Sequence, residues 1–434
     1  MFEGVQYPRL LKLGFGAGAL GTSLSFGAVP LLFLFYLTEF AQVPPATAGV
    51  LLALPKLADM VLDPWIGRRT DAVARRLGSR GGLLALGMAV LPVLLVLLFM
   101  PLQALPLPAR IGLLAVLLVA QSLMLTVYTV AYTALASDIA QGMAGRSSLM
   151  SARALGQTLA GLTVSAAAPQ LVAAFGAGRG GYLGMAAVLA AAALLAMAAC
   201  WLAVRRVKLV AGTDAGPATP LWRALRGTLK NRAFYCVAAL LVLLGLSLTA
   251  LMSALPYVNQ HLLHAGPQNL SVLLTPLFLT VLVGISVAPW LARHARPALV
   301  LGGALAVAVA SIVAMGLAPR GDAAVASGCA VFGLASGVLT VMISTLALES
   351  STHFAKQGES LGLYLGILST SEKLGQSLGG VVVGFGLDWV GPLQAQASPQ
   401  SLSRLETLWI AAPAGTLLVA LLLLAPLTTR LRSS

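Results

Sequence analysis

The 434-residue chain is 59% hydrophobic and 9% charged, with a formal net charge of +14. A soluble domain is typically about 25% charged, so this composition excludes an ordinary soluble protein and implies one built for lipid. Three isolated cysteines (Cys200, Cys236, Cys329) and four scattered histidines exclude a disulfide framework and a Cys/His zinc centre.

Apolar runs of about 18 residues or more recur along the whole chain, each long enough for a transmembrane helix. The first is too long, and the pattern recurs too often, for a cleaved signal peptide. Twelve spans are predicted, at roughly 10–38, 46–66, 82–102, 110–136, 147–175, 181–204, 233–257, 270–292, 297–318, 322–349, 361–388 and 406–429. With both termini cytoplasmic, 20 of the 27 Lys and Arg residues fall on that side. Four fall on the other (Arg110, Arg179, Arg320, Arg404) and three within spans (Lys56, Arg153, Lys373). This is the positive-inside pattern of a multi-pass protein in a bacterial-type inner membrane. The basic charge therefore reads as topology, with no nucleic-acid partner.

The longest polar connection, between Arg205 and Arg232, divides the chain into an N-terminal six-helix half (1–208), a cytoplasmic loop (209–231) and a C-terminal six-helix half (232–434). Its LWRALRGTLKNR segment reads as a linker with topogenic charge, or as a basic helix on the inner leaflet. The halves carry internal echoes. ALGQTLAG at Ala154–Gly161 returns as KLGQSLGG at Lys373–Gly380, and DPWIGRR at Asp63–Arg69 returns as APWLARH at Ala288–His294. Such echoes fit parallel repeats, with Gly156, Gly161, Gly375, Gly379 and Gly380 suited to close helix packing.

The echo also serves as an internal control. The second half keeps Pro289 and Trp290 opposite Pro64 and Trp65 but places Gly284 and Ala288 where the first has Asp59 and Asp63. The carboxylates are thus not required merely to build that helix. Each ionisable group at mid-bilayer costs about 2.5–3.5 kcal/mol, so Asp59 and Asp63 are expected to face a polar site. One turn apart on one helix face, they form a candidate cation site, able to hold sodium or to share a proton. Thr126 and Thr129 on the fourth span are candidate hydroxyl ligands, against the alternative that they bond back to their own helix. Arg153 and Lys373, at the starts of the repeated LGQ segments, are candidates for binding an anionic substrate group or balancing the coupling ion's charge. Lys56 snorkels or pairs with Asp59.

The segment GRRTDAVARRLGSR, read as a loop after span two, brings together Gly67, Asp71, Arg75, Arg76 and Arg80. An acid at a helix start with arginines across a tight turn suits a gating latch. Asp138 and Glu349 occupy matching places before spans five and eleven and invite the same reading.

At these residues the chain resembles the glycoside–pentoside–hexuronide:cation symporters of the major facilitator superfamily. The resemblance runs through LGFGAGALGTS, FYLTEF, DMVLDP, RSSLMSAR and SEKLGQSLGGVVVG. It implies an all-α, twelve-helix fold in two pseudo-repeat halves and alternating-access symport with sodium, lithium or protons. Asp59 and Asp63 then match the family's cation carboxylates, Thr126 a hydroxyl ligand, Arg153 a sugar-site arginine and Lys373 the helix-eleven lysine. The chain departs from melibiose permease, the family's best-known member. Ser23 and Thr129 replace sugar-binding aspartates, Thr133 replaces a tryptophan, and Leu62 replaces the asparagine between the cation carboxylates. Tyr128, Tyr132, Tyr36 and Tyr364 are the nearest aromatic candidates for a ring-stacking role, against the alternative that each is plain packing.

The expected function is cation-coupled symport of a sugar or glycoside. The partners are a small solute, a monovalent cation (Na+ or H+) and the bilayer, with a monomeric carrier, no resident cofactor and no enzymatic chemistry. Two alternatives share the fold: a carrier of lysophospholipid or another amphipathic anion, and a proton-driven drug exporter.

Overall fold

The computed structural model describes residues 9–140, 143–205, 207, 232–317, 321–355, 361–393 and 398–430. The predicted loop 209–231, Arg320 and Lys356 lie outside these residues, as do the side chains of Arg146, Glu349 and Tyr364. The described chain is all-helical. Its long helices are α1 Arg9–Ala28, α2 Pro45–Leu77, α3 Gly81–Leu98, α4 Leu107–Ile139, α5 Met143–Ala174 and α6 Arg179–Val204. They continue as α7 Arg232–Tyr257, α8 Asn269–His294, α9 Pro297–Leu317, α10 Asp322–Ala355, α11 Leu361–Val390 and α12 Pro399–Arg430.

Among the described residues, nine helices are individually long and apolar enough to cross a membrane. A tenth, α2, qualifies as two segments, Pro45–Met60 and Trp65–Leu77, bent by 59°. Pro64 falls in the break, where its missing N–H removes a helical rung. α5 and α11 carry the polar LGQ segments, and that polarity lowers their hydropathy.

Two element boundaries differ from the sequence reading. α1 does not stop cleanly near 38: it passes into wider turns at Val29–Phe33 and Tyr36–Phe40. There Ala41 N–H donates to Tyr36 O at 2.9 Å, the i→i+5 pattern of a π-turn. The stretch read as a loop after span two is instead the last turns of α2. Ala, Arg and Leu in DAVARRL are strong helix formers, so the helix runs on until Gly78, whose φ of +66° closes it. Asp71 therefore lies inside a helix and not at a helix start.

The chain forms two compact units: Met1–Val43 with Leu54–Asp214, and Pro44–Ala53 with Ala215–Ser434. Within the first, α1 packs on α5 and α6, α3 on α4 and α6, and α5 on α6. Within the second, α7 packs on α11 and α12, α9 on α10 and α12, and α11 on α12. Each pairing recurs six helices later, so the repeat legible in the LGQ segments is a repeat of packing. Its closest points are glycines. A Cβ on Gly156 would stand 2.2 Å from Gly16 O of α1, and one on Gly375 would stand 2.1 Å from Val242 O of α7. Neither helix tolerates a side chain there.

Candidate functional site

The site is built on α2 and α4 of the first unit. Ser122 Oγ lies 2.8 Å from both carboxylate oxygens of Asp59 and donates its single proton between them. One turn on, Thr126 Oγ1 donates to Asp63 Oδ1 at 3.1 Å. Both pairs are separated by 63 residues in the chain, so two i,i+4 pairs meet in register and form two parallel rungs. Asp59, Ser122 and Thr126 are 6%, 3% and 8% exposed, whereas Asp63 is half-buried. Hydrogen bonds to an ionised carboxylate are worth about twice neutral ones, and in a poorly solvated setting they offset part of the cost of holding two carboxylates one turn apart. On the same helix, Lys56 Nζ sits 5.2 Å from the centre of the Phe26 ring, a cation–π contact.

Thr129 takes a different part. Its hydroxyl donates back to Thr126 O at 3.2 Å, the self-bonding alternative for a membrane threonine. Thr133 likewise donates to Thr129 O at 2.6 Å, and its oxygen accepts from Arg153 Nη1 at 3.0 Å. Arg153 also lies 6.0 Å from the Tyr132 ring centre, and Tyr132 is itself held by its hydroxyl bond to Phe15 O and by stacking on Phe15 at 4.3 Å. Ser122, Thr126, Thr129 and Thr133 thus form one hydroxyl stripe on α4, running from the paired carboxylates to a guanidinium fixed on a rigid aromatic support.

Tyr128, Ser23 and Lys373 are further candidates. Tyr128 is 1% exposed and packs in the unit's core beside Tyr132, Phe15 and Cys200. A Cβ on Gly87 of α3 would stand 2.6 Å from its ring, so the structure shows Tyr128 as packing. Ser23 is half-buried on α1. Lys373 is half-buried on α11 of the second unit, next to exposed Glu372, whose carboxylate accepts from Gln376 at 3.3 Å.

Of the gating candidates, Arg80 and Asp71 come together, joined by Asp138. Arg80, 6% exposed, donates through Nη1 to Asp71 Oδ1 at 2.8 Å and through Nε to Asp138 Oδ2 at 2.9 Å. One guanidinium therefore ties the end of α2 and the end of α4 to the start of α3. Arg75 and Arg76 are exposed, and Gly67 has open space where a Cβ would project.

Sequence reasoning missed Ser122. The available signal was the spacing of QSLMLT: Ser122 and Thr126 repeat the i,i+4 interval of Asp59 and Asp63.

Comparison with known proteins gives this geometry a family. Residues 14–428 match the model of the MFS/sugar transport protein family. The glucuronide carrier protein homolog of Escherichia coli K12 is 26% identical over 96% of this chain and 92% of its own length. An uncharacterised symporter of Synechocystis sp. is 38% identical, but over only 16% of this chain and 13% of its own. Among solved structures, the nucleoside transporter NupG aligns with a TM-score of 0.70 at 13% identity, covering 96% of this chain and 99% of that one. A bacterial homolog of the human lysosomal transporter Spinster, inward-facing, aligns at 0.69 and 15% identity, covering 96% and 94%. These two structural likenesses concern the fold alone. The family match extends over nearly the whole chain and agrees with the resemblance carried by DMVLDP and SEKLGQSLGGVVVG: the chain belongs to the MFS/sugar transport protein family and is a multi-pass secondary transporter of small solutes.

Proposed function

We propose that this transporter is a cation-coupled symporter for a glycoside, with Asp59 and Asp63 as the coupling carboxylates. The observation that carries the reading is the pair of rungs from Ser122 to Asp59 and from Thr126 to Asp63. Two carboxylates with two hydroxyls supply an oxygen-rich site of the kind hard cations take, at a depth where unneutralised charge is costly. The coupling cation is cargo: it enters with the solute and leaves with it as the halves alternate in access. The bias of basic residues towards one side supports cytoplasmic termini in a bacterial-type inner membrane. Inward movement of one positive charge then adds about 2.3 kcal/mol towards accumulation at 100 mV.

For the solute, the relative named as a glucuronide carrier homolog and the fixed Arg153 favour an acidic glycoside. A guanidinium held by Thr133 and Tyr132 keeps its remaining N–H groups for a planar carboxylate.

The test is uptake of a labelled glucuronide and a labelled neutral glycoside into cells expressing the protein, at fixed pH, with and without sodium. A labelled lysophospholipid serves as the competing solute. Uptake of a glycoside that depends on a cation gradient and is lost in Asp63→Asn supports the reading. Equal uptake by wild type and Asp63→Asn overturns it.

A further inference from the structure

The sequence of α2 between its two carboxylates is Met60-Val61-Leu62, which offers a cation no side-chain oxygen. Any further side-chain oxygen has to come from a facing helix. Hydroxyls in membrane helices ordinarily bond back to the carbonyl three or four residues earlier. Thr22, Ser25, Thr38, Thr280, Ser286 and Thr340 all do so in this chain. Ser122 does not follow them: both of its hydrogen bonds cross to Asp59, at equal distances of 2.8 Å. It is also 3% exposed, so water is a poor substitute for either partner.

A hydroxyl has one donor and two lone pairs. While the site holds no cation, Ser122 stabilises the Asp59 carboxylate by donation. With a metal cation between the rungs, rotation about Cβ–Oγ turns the proton away and presents a lone pair beside the same carboxylate. A proton on Asp59 needs only one acceptor, whereas an alkali cation needs several oxygens at once, so loss of this hydroxyl falls mainly on the metal ion. Leu62 cannot compensate.

Resting on the coupling reading above, we infer that Ser122 is the specificity-determining residue of that site, completing on α4 the oxygen set that α2 lacks and setting the preference for an alkali cation. Thr126 provides the equivalent oxygen at Asp63, and the two act as a pair.

The experiment measures initial solute uptake against sodium concentration at fixed pH for wild type, Ser122→Ala, Ser122→Thr and Asp63→Asn, at matched membrane levels. Solute counterflow without a cation gradient serves as the readout of an intact carrier. Ser122→Ala is expected to raise half-saturating sodium by about tenfold or more, the scale of one charge-assisted hydrogen bond, with counterflow recovered once sodium is saturating on both sides. Ser122→Thr is expected to restore the wild-type value. A sodium curve for Ser122→Ala superimposable on wild type, with coupling lost in Asp63→Asn, overturns the role of Ser122 and leaves the coupling site standing. Wild-type uptake driven by protons alone, with no sodium or lithium response, also overturns it. Sodium stimulation intact in both Ser122→Ala and Asp63→Asn removes the coupling reading itself.

Discussion

Arg80 Nε stands 2.9 Å from Asp138 Oδ2, and both side chains are almost wholly buried, at 6% and 3% exposure. Because the same guanidinium also reaches Asp71 at 2.8 Å, three helix ends depend on one cation. The fork geometry of arginine makes this possible: one nitrogen goes to each carboxylate, which a lysine point charge does not reproduce.

Removing the Asp138 charge leaves the buried Arg80 guanidinium with only its more exposed partner, Asp71. Breaking a buried ion pair from one side typically costs about 3–5 kcal/mol, so Asp138→Asn is expected to lower the melting temperature of the purified carrier and its level in the membrane. Asp71, 38% exposed, is solvated enough that Asp71→Asn should shift stability much less and act chiefly on transport. Equal melting temperatures for Asp138→Asn and wild type would show that the pair is not structural.

The glycines divide into two kinds, and substitution should separate them. Gly156 and Gly375 have backbone carbonyls at 2.2 and 2.1 Å from where a Cβ would sit. Gly156→Ala and Gly375→Ala are each expected to push α1 from α5, or α7 from α11, and to reduce folded protein sharply. Gly67 meets nothing within 4 Å, and alanine gains up to about 1 kcal/mol of helix propensity over glycine. Gly67→Ala should therefore melt at or above the wild-type temperature. A folded, fully stable Gly156→Ala would contradict the packing argument.

Two of the arginines that break the positive-inside pattern have structural employment. Arg110, 6% exposed, donates to the carbonyls of Ala41, Gln103 and Leu105. It thereby closes the end of α1 onto the start of α4. Arg404 stacks over Trp389 at 5.4 Å and donates to its carbonyl at 3.1 Å. Arg110→Ala leaves the buried Ala41 carbonyl short of a donor, at a cost on the order of 1–3 kcal/mol, and removes the donor to two part-buried carbonyls. It is expected to destabilise far more than Arg404→Ala, as read by thermal melting in detergent. Comparable losses would mean that burial is not what matters.

Hydropathy made the helices legible, because an apolar run of span length has one stable form in lipid. It failed where a helix leaves the membrane. The charged turns of α2 after Arg68 look like loop to any hydropathy argument, yet helix propensity carries them to Gly78. The carboxylates were legible because burying them is costly and the second half manages without them. Ser122 was not, because a serine in an apolar helix carries no such penalty and its meaning lies entirely in which helix faces it. Tyr128 shows the converse: in the sequence an aromatic residue beside a polar stripe reads either as a ring-stacking candidate or as packing, and only the structure reveals its burial beside Phe15, Tyr132 and Cys200.

The link between Arg153 and Thr133 yields the most discriminating prediction for the solute. At 3.0 Å the Thr133 hydroxyl accepts one N–H, and the nearby Tyr132 ring stabilises the cation's face. The remaining guanidinium edge suits a bidentate acceptor. Arg153→Lys keeps the charge but loses the fork, so uptake of a glucuronide should fall by about tenfold or more while a neutral glycoside is affected less. Thr133→Val removes the acceptor that orients the guanidinium, together with the hydroxyl's bond back to Thr129 O, and should raise the half-saturating glucuronide concentration without changing the sodium dependence. If the two glycosides fall in parallel in Arg153→Lys, Arg153 does not read the acid group, and its place at the end of the α4 stripe serves packing or conformational change.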